Sequence, residues 1–431
     1  MEKAPPGQAR MNSGGYFASP WPGEDGGPQR LQTAATGQGL TQALALQTGE
    51  RLACTTRRTL LSTMTVLGAP GQVYLLTHSA LRAKLGLPTT ACVEKIDPIN
   101  LQTRAQSPRL RGGPMWPGGM ALHRQGDLFV VYGRYLHRLS ADCELLASLQ
   151  LPLNAPYNSF VILDNGLIVT KNLSDRVPAR LSVVDPVSTQ RACADLDCPE
   201  PSVARLSAKG NTVYVVGVRS VFRYHWSEPL ARLVMDSSWR FDYIGASAQS
   251  YGWDLVLDGT NAWFMDNGRH RYLFRMVGAG VSPSANRLIR VSLTDAADHQ
   301  MLPVCGVPGG SITNPPLIDL QRQIVVAYDS ANCQMQAWRF EPQSRAMRPI
   351  WHKQGLGCAS HMLLYPSTGE LVTNDYRRLG EEVLVLDIET GTERGRVRVG
   401  GLNQGVVFPS VGWGRDLYWC SMSRVARVFV Q

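Results

Sequence analysis

Residues 159–173, SFVILDNGLIVTKNL, alternate short apolar runs with a turn at Asp164-Asn165-Gly166. Asn-Gly suits a tight β-hairpin because both residues tolerate positive φ. A third apolar run follows in LSVVDP (181–186), and a fourth candidate strand in TQRACADL (189–196). The same order of runs and turns returns at 64–96, 120–139, 203–224, 255–291, 317–340, 362–387 and 406–430. The units start near residues 60, 118, 157, 201, 250, 310, 359 and 403, at spacings of about 39 to 60 residues. Propeller blades repeat at about 40–50 residues. No stretch carries the 3.6-residue period of an amphipathic helix. An all-β chain of short strands must close or cover its edges, and a ring of four-stranded blades does so. The pattern predicts a single β-propeller of eight blades, with seven as the alternative because the first unit is weak. The last unit runs out of chain after its third strand, at Gln431. Its fourth strand is expected from the N-terminal side, within residues 52–61.

Residues 385–397, VLDIETGTERGRV, resemble the LDxxTGxxxW turn of quinoprotein-like and YVTN-type β-propellers. Looser copies stand at Val184-Asp185-Pro186 and Ile96-Asp97-Pro98. Segments 156–173 and 370–375 also resemble uncharacterised bacterial β-propeller proteins. The resemblance implies the fold. It does not imply bound pyrroloquinoline quinone. The Trp that follows the Thr-Gly turn in quinoprotein alcohol dehydrogenases is replaced by Arg394 and Gly395, and no two Cys are adjacent. A quinoprotein-type oxidoreductase therefore ranks behind the other readings.

Composition changes the picture in three ways. With 44% hydrophobic and 18% charged residues, the 431-residue chain can bury a large core. Its 41 Gly and 27 Pro supply the many turns that short strands need. All but six of the 43 basic residues are Arg, scattered singly, so the +9 net charge does not read as a nucleic-acid surface. Nine Cys without a CxxC pair suit reduced thiols. No secretory leader and no run long enough for a membrane helix are read, so a cytoplasmic protein without membrane contact is expected. Residues 1–30 have the composition of a disordered tail, and residues 1–28 are expected to be dispensable. Residues 31–431 are expected to form the propeller domain.

Blade geometry places the candidate chemistry. Each inner strand begins at one mouth of the central channel, and the second strand returns to it. Ser159, Ser202, Trp253, Asn314, His361 and Gln404 occupy matching positions in consecutive units, with Tyr157, Asn158 and Asp254 beside them. The loops after the second strands carry Lys171, Asn172, Asp266, Asn267, Asp329, Asn374 and Asp375. Asp266, Asp329 and Asp375 are candidate oxygen ligands for Mg²⁺ or Ca²⁺, the alternative being Asx turns at strand ends. An insertion at residues 269–286, with Arg269, His270, Arg271 and Arg275, reads as a basic lid that attracts an anion. His361 is the candidate general base. No phosphate-binding glycine loop, HExxH or GxSxG is present. The expected function is binding of a small anionic molecule at one mouth. A lyase or hydrolase reaction through His361, with or without a divalent cation, is its most concrete form. The alternative is a non-catalytic scaffold that binds a protein partner on its rim.

Overall fold

The computed structural model describes residues 14–34, 41–79, 82, 85, 87–114, 116–245, 248–269, 271, 280–377, 380–401, 408–421 and 423–431. Eight antiparallel sheets form the eight blades of a β-propeller. The inner strands are, in order, Leu61–Leu67, Gly119–Leu122, Tyr157–Ile162, Ser207–Lys209, Val256–Leu257, Leu317–Asp319, Leu363–Tyr365 and Ser410–Val411. Blades 1 and 3 have an outer strand broken in two, because Leu110–Arg111 and Leu196–Ser202 continue the pairing begun by Thr103–Gln106 and Gln190–Arg191.

The ring closes as the pattern predicts. Strand Leu52–Arg58 pairs antiparallel with the C-terminal strand Arg424–Val430, from Leu52 opposite Val430 to Arg58 opposite Arg424. An edge strand left by the eighth blade is thereby covered from the other end of the chain. Adjacent blades stack apolar faces, as where Trp263 of blade 5 meets Phe340 of blade 6 edge-on at 5.2 Å.

The recurring Asp turns have a local cause. Asp387 Oδ1 accepts the backbone N–H groups of Glu389 and Thr390 at 2.9 and 3.0 Å. Asp97 and Asp185 repeat this Asx turn at 96–100 and 184–188. Gly391 ends the Thr-Gly turn at φ +70°, and a Cβ there would lie 2.8 Å from the Trp351 ring of the neighbouring blade.

The N-terminal segment departs from expectation. Residues 14–34 are not a tail but cross the lower end of the channel, where the inner strands finish. Their carbonyls accept the last inner-strand N–H groups of five blades. Trp21 takes Leu67, Pro22 takes Leu122, Pro28 takes Ala208, Gln29 takes Leu257 and Gln32 takes Leu364. The Tyr16 hydroxyl receives Ile162 N–H of blade 3, and Gln32 Nε2 donates to Pro316 O of blade 6. The segment thus reaches seven blades, and Trp21 is fully buried. Its Gly- and Pro-rich composition imitates disorder because the backbone needs unusual angles there. Asp25, Arg30 and Gln32 all have φ between +54 and +56°. Expendability of residues 1–28 does not survive this placement. Residues 1–13 lie outside the described residues. No helix among the described residues is long and apolar enough to cross a membrane.

Candidate functional site

Three positions upstream of the inner-strand N–H groups held by the segment lie Met64, Gly119, Arg205, Asp254 and His361. The ring symmetry therefore brings Arg205, Asp254 and His361 to one level of the axis. From below, the segment sends up Glu24, Asp25 and Arg30. All six are buried.

Arg30 organises the cluster. Its guanidinium donates to Asp25 Oδ2, Glu24 Oε2 and Ser159 Oγ at 2.9 Å each, and to Leu206 O at 2.8 Å. Glu24 fits because blade 2 has glycine at the shared level: a Cβ on Gly119 would stand 2.3 Å from Glu24 Oε1. Asp254 Oδ1 accepts the Arg205 backbone N–H at 2.7 Å, while the Arg205 Nη1 contact to Oδ2 is looser at 3.5 Å. Arg205 lies over the Phe408 ring at 4.5 Å, and His361 packs on the same ring at 4.0 Å between centroids. His361 Nδ1 is 2.8 Å from Asp25 Oδ1. The two form a close buried pair, while His361 Nε2 has no hydrogen-bond partner. Arg205 Nε and Nη2 and Glu24 Oε1 are likewise buried without a hydrogen bond. Buried polar atoms without a well-formed hydrogen bond are uncommon in a packed interior, and here several gather in one cluster.

The electrostatics follow from burial opposed by paired charge. Burial pushes the Glu24 carboxyl up, against the pull of Arg30 and Arg205. Burial also acts on Asp25, but His361 and Arg30 outweigh it and hold that carboxyl below its ordinary value. Burial pushes His361 down despite Asp25, which favours the neutral imidazole. Lys171 is also fully buried near the axis, with Nζ 3.2 Å from Ser202 O and 3.5 Å from Asn172 O. Burial pushes its ammonium down to about 7.

The structure sorts the expected residues. Ser159, Asp254 and His361 join the axial cluster, and Lys171 stands near it. Tyr157 does not: it fills the apolar layer between blades 2 and 3, with its hydroxyl on Leu153 N–H at 3.3 Å. Asn158 and Asn314 bridge blades through Val203 O and Ala359 O. Ser202 Oγ donates to Val216 O, and Trp253 Nε1 to Gly268 O. Arg269 is exposed, with its N–H on Ser250 Oγ. His270 and Gln404, like half of the insertion, lie outside the described residues. The three rim carboxylates are not brought together. Asp266 pairs with Arg287 at 2.7 Å, Asp329 receives Asn332, and Asp375 receives Gly357 N–H and Arg396. Asp329 closes an Asx turn through the Asn332 N–H, whereas Asp266 and Asp375 form ion pairs and longer-range bonds on their own sides of the ring. Among the described residues, the His and carboxylate group that converges is Asp25, Asp254 and His361, with ligand atoms within 4.8 Å of one another.

Glu24, Asp25, Arg30 and Arg205 were not legible as site residues. Arg205 had a signal, a lone charge inside the stretch 203–208, VARLSA. It was missed because Ser202 was aligned with His361, three positions out of register. Away from the axis, a cleft of about 650 Å³ lies between blades 4, 5 and 6, lined by Lys209, Trp263, Arg290 and Phe340 among others. Its cations are engaged, Arg290 with Asp298 and Lys209 with Gly259 O.

Known structures repeat this architecture. Quinohemoprotein alcohol dehydrogenase from Comamonas testosteroni superposes with a TM-score of 0.62 at 10% identity, covering 98% of this chain and 81% of that one. BamB from Moraxella catarrhalis gives 0.54 at 11% identity, covering 88% and 97%. The fold is an eight-bladed β-propeller, and it is similar to these two structures. The Dos1 propeller is similar too, at 0.56 and 10% identity, covering 89% and 95%. At such identities the likeness carries the propeller's fold and nothing of its chemistry. No family model and no curated protein matches the chain.

Proposed function

We propose that the propeller binds a small anionic molecule on its axis, at the level of Arg205, Asp254 and His361. One observation carries this reading: a fully buried Arg205 whose guanidinium meets Glu24 and Asp254 only at 3.5 Å, with Nη2 lacking a hydrogen bond, beside His361, whose Nε2 also lacks one. Buried guanidinium donors met only by loose contacts are costly, and a carboxylate or phosphate matches their geometry. Lys171 adds a second donor near the axis. In a lyase or hydrolase reaction the neutral His361 serves as the base, with Asp25 stabilising the imidazolium that forms.

The test is calorimetric titration of the full chain with a panel of small carboxylates, phosphates and sulfates. At least one should bind, and Arg205→Gln should weaken it by tenfold or more. A panel without binders, or a binder indifferent to Arg205, overturns the reading. A second reading, a non-catalytic scaffold, is favoured by one feature: the N-terminal segment crosses the lower channel end and the cluster is enclosed. Capture of a protein partner by a propeller that binds no member of the panel would support it.

A further inference from the structure

We propose that Asp25, Asp254 and His361 bind a divalent transition-metal ion, which fastens the N-terminal segment into the channel. The inference rests on the axial cluster being the functional site, and it adds the ion and the role of the segment. The three ligands come from the N-terminal segment, blade 5 and blade 7, and their ligand atoms all lie within 4.8 Å of one another. Two ligands at about 2.0–2.2 Å from one ion stand roughly 3–3.5 Å apart. The 2.8 Å separation of His361 Nδ1 and Asp25 Oδ1 is close to that spacing. A small widening of this pair would let both atoms ligate one ion, and His361 Nε2 has no hydrogen-bond partner.

The surroundings fit the chemistry. Close, tilted packing against Phe408 restrains the imidazole. The other carboxylate oxygens are held from outside, Asp25 Oδ2 by Arg30 and Asp254 Oδ1 by the Arg205 N–H, which orients Asp25 Oδ1 and Asp254 Oδ2 inward. One imidazole and two carboxylates suit zinc, manganese, iron or cobalt better than the Mg²⁺ or Ca²⁺ expected for an all-oxygen set. Three carboxylates, Glu24, Asp25 and Asp254, face two guanidinium groups, Arg30 and Arg205. A divalent ion reverses that formal deficit and gives an anion a reason to approach. Three protein ligands also leave a coordination position open.

The experiment strips the full chain with chelator, reloads it with Zn²⁺, Mn²⁺ or Co²⁺, and measures bound metal and melting temperature. One equivalent should bind and raise the melting temperature, and the cobalt form should show a visible d–d band. Asp25→Asn and Asp254→Asn should each weaken binding by about 10–100-fold. His361→Gln should shift the cobalt band. Stripped wild type that takes up no ion overturns the inference, as does uptake unchanged in both Asn variants. If a variant fails to fold, wild-type stoichiometry and the cobalt spectrum still decide. Anion binding by metal-free protein that takes up no ion would remove the metal and leave the axial anion site. Failure of both would remove both.

Discussion

Replacing Arg30 with Met tests whether residues 14–34 are truly seated in the channel. The substitution removes all the bonds that the guanidinium makes to Glu24, Asp25, Ser159 and Leu206 O. Two buried carboxylates lose their closest cation. Removing one partner of a buried pair costs about 3–5 kcal/mol. An unfolding entropy of about 2.1 cal/mol/K per residue gives roughly 0.9 kcal/mol/K for a chain of this length. The melting temperature should therefore fall by about 3–6 °C. Its pH dependence has a definite sign. Burial already raises the folded-state pKa of Glu24, and loss of Arg30 raises it further. A carboxyl raised on folding costs stability above its unfolded pKa and returns it as the pH falls. Asp25, held low in the wild type by His361 and Arg30, contributes stability that the wild type itself loses on acidification. The Glu24 effect narrows the gap between variant and wild type from about pH 8 to about pH 5, while the Asp25 contribution is lost only below about pH 4. Scanning calorimetry at both pH values reads this directly. A variant that melts within about 1 °C of wild type at pH 8, or a gap that widens in acid, refutes the docked segment.

Two further substitutions probe the same region. Gly119→Ala places a methyl 2.3 Å from Glu24 Oε1 and 3.1 Å from Ser159 Cα, and should cost about 1–3 kcal/mol in denaturant unfolding. Most of that cost should vanish in the Glu24→Ala background, and full additivity would place Glu24 elsewhere. Lys171 has a folded pKa of about 7, below its unfolded value. Between there and about pH 10 the unfolded chain binds the extra proton, so stability rises with pH by about 1.4 kcal/mol per unit from this group. Lys171→Met should remove that slope, and an unchanged slope would mean the amine is solvated.

Periodic short strands, turn residues and an incomplete last unit were enough to read an eight-bladed ring closed by strand Leu52–Arg58. Those features are local or repeated, and each follows from backbone pairing that any blade must satisfy. His361, Asp254 and Ser159 were legible for the same reason, since a polar residue at the start of an apolar inner strand has little else to face. The rest of the site was decided by tertiary structure. Glu24, Asp25 and Arg30 sit in a Gly- and Pro-rich stretch with no period, whose order comes only from the inner-strand N–H groups that it satisfies across the ring. Asp266, Asp329 and Asp375 showed the opposite failure, a repeated signal whose members serve separate local contacts: an ion pair with Arg287, a turn at Asn332, and bonds to Gly357 N–H and Arg396. Repetition along the chain fixes how each blade is built. Which side chains meet on the axis depends on the register between blades and on a segment outside the repeat, and neither is written in any one unit.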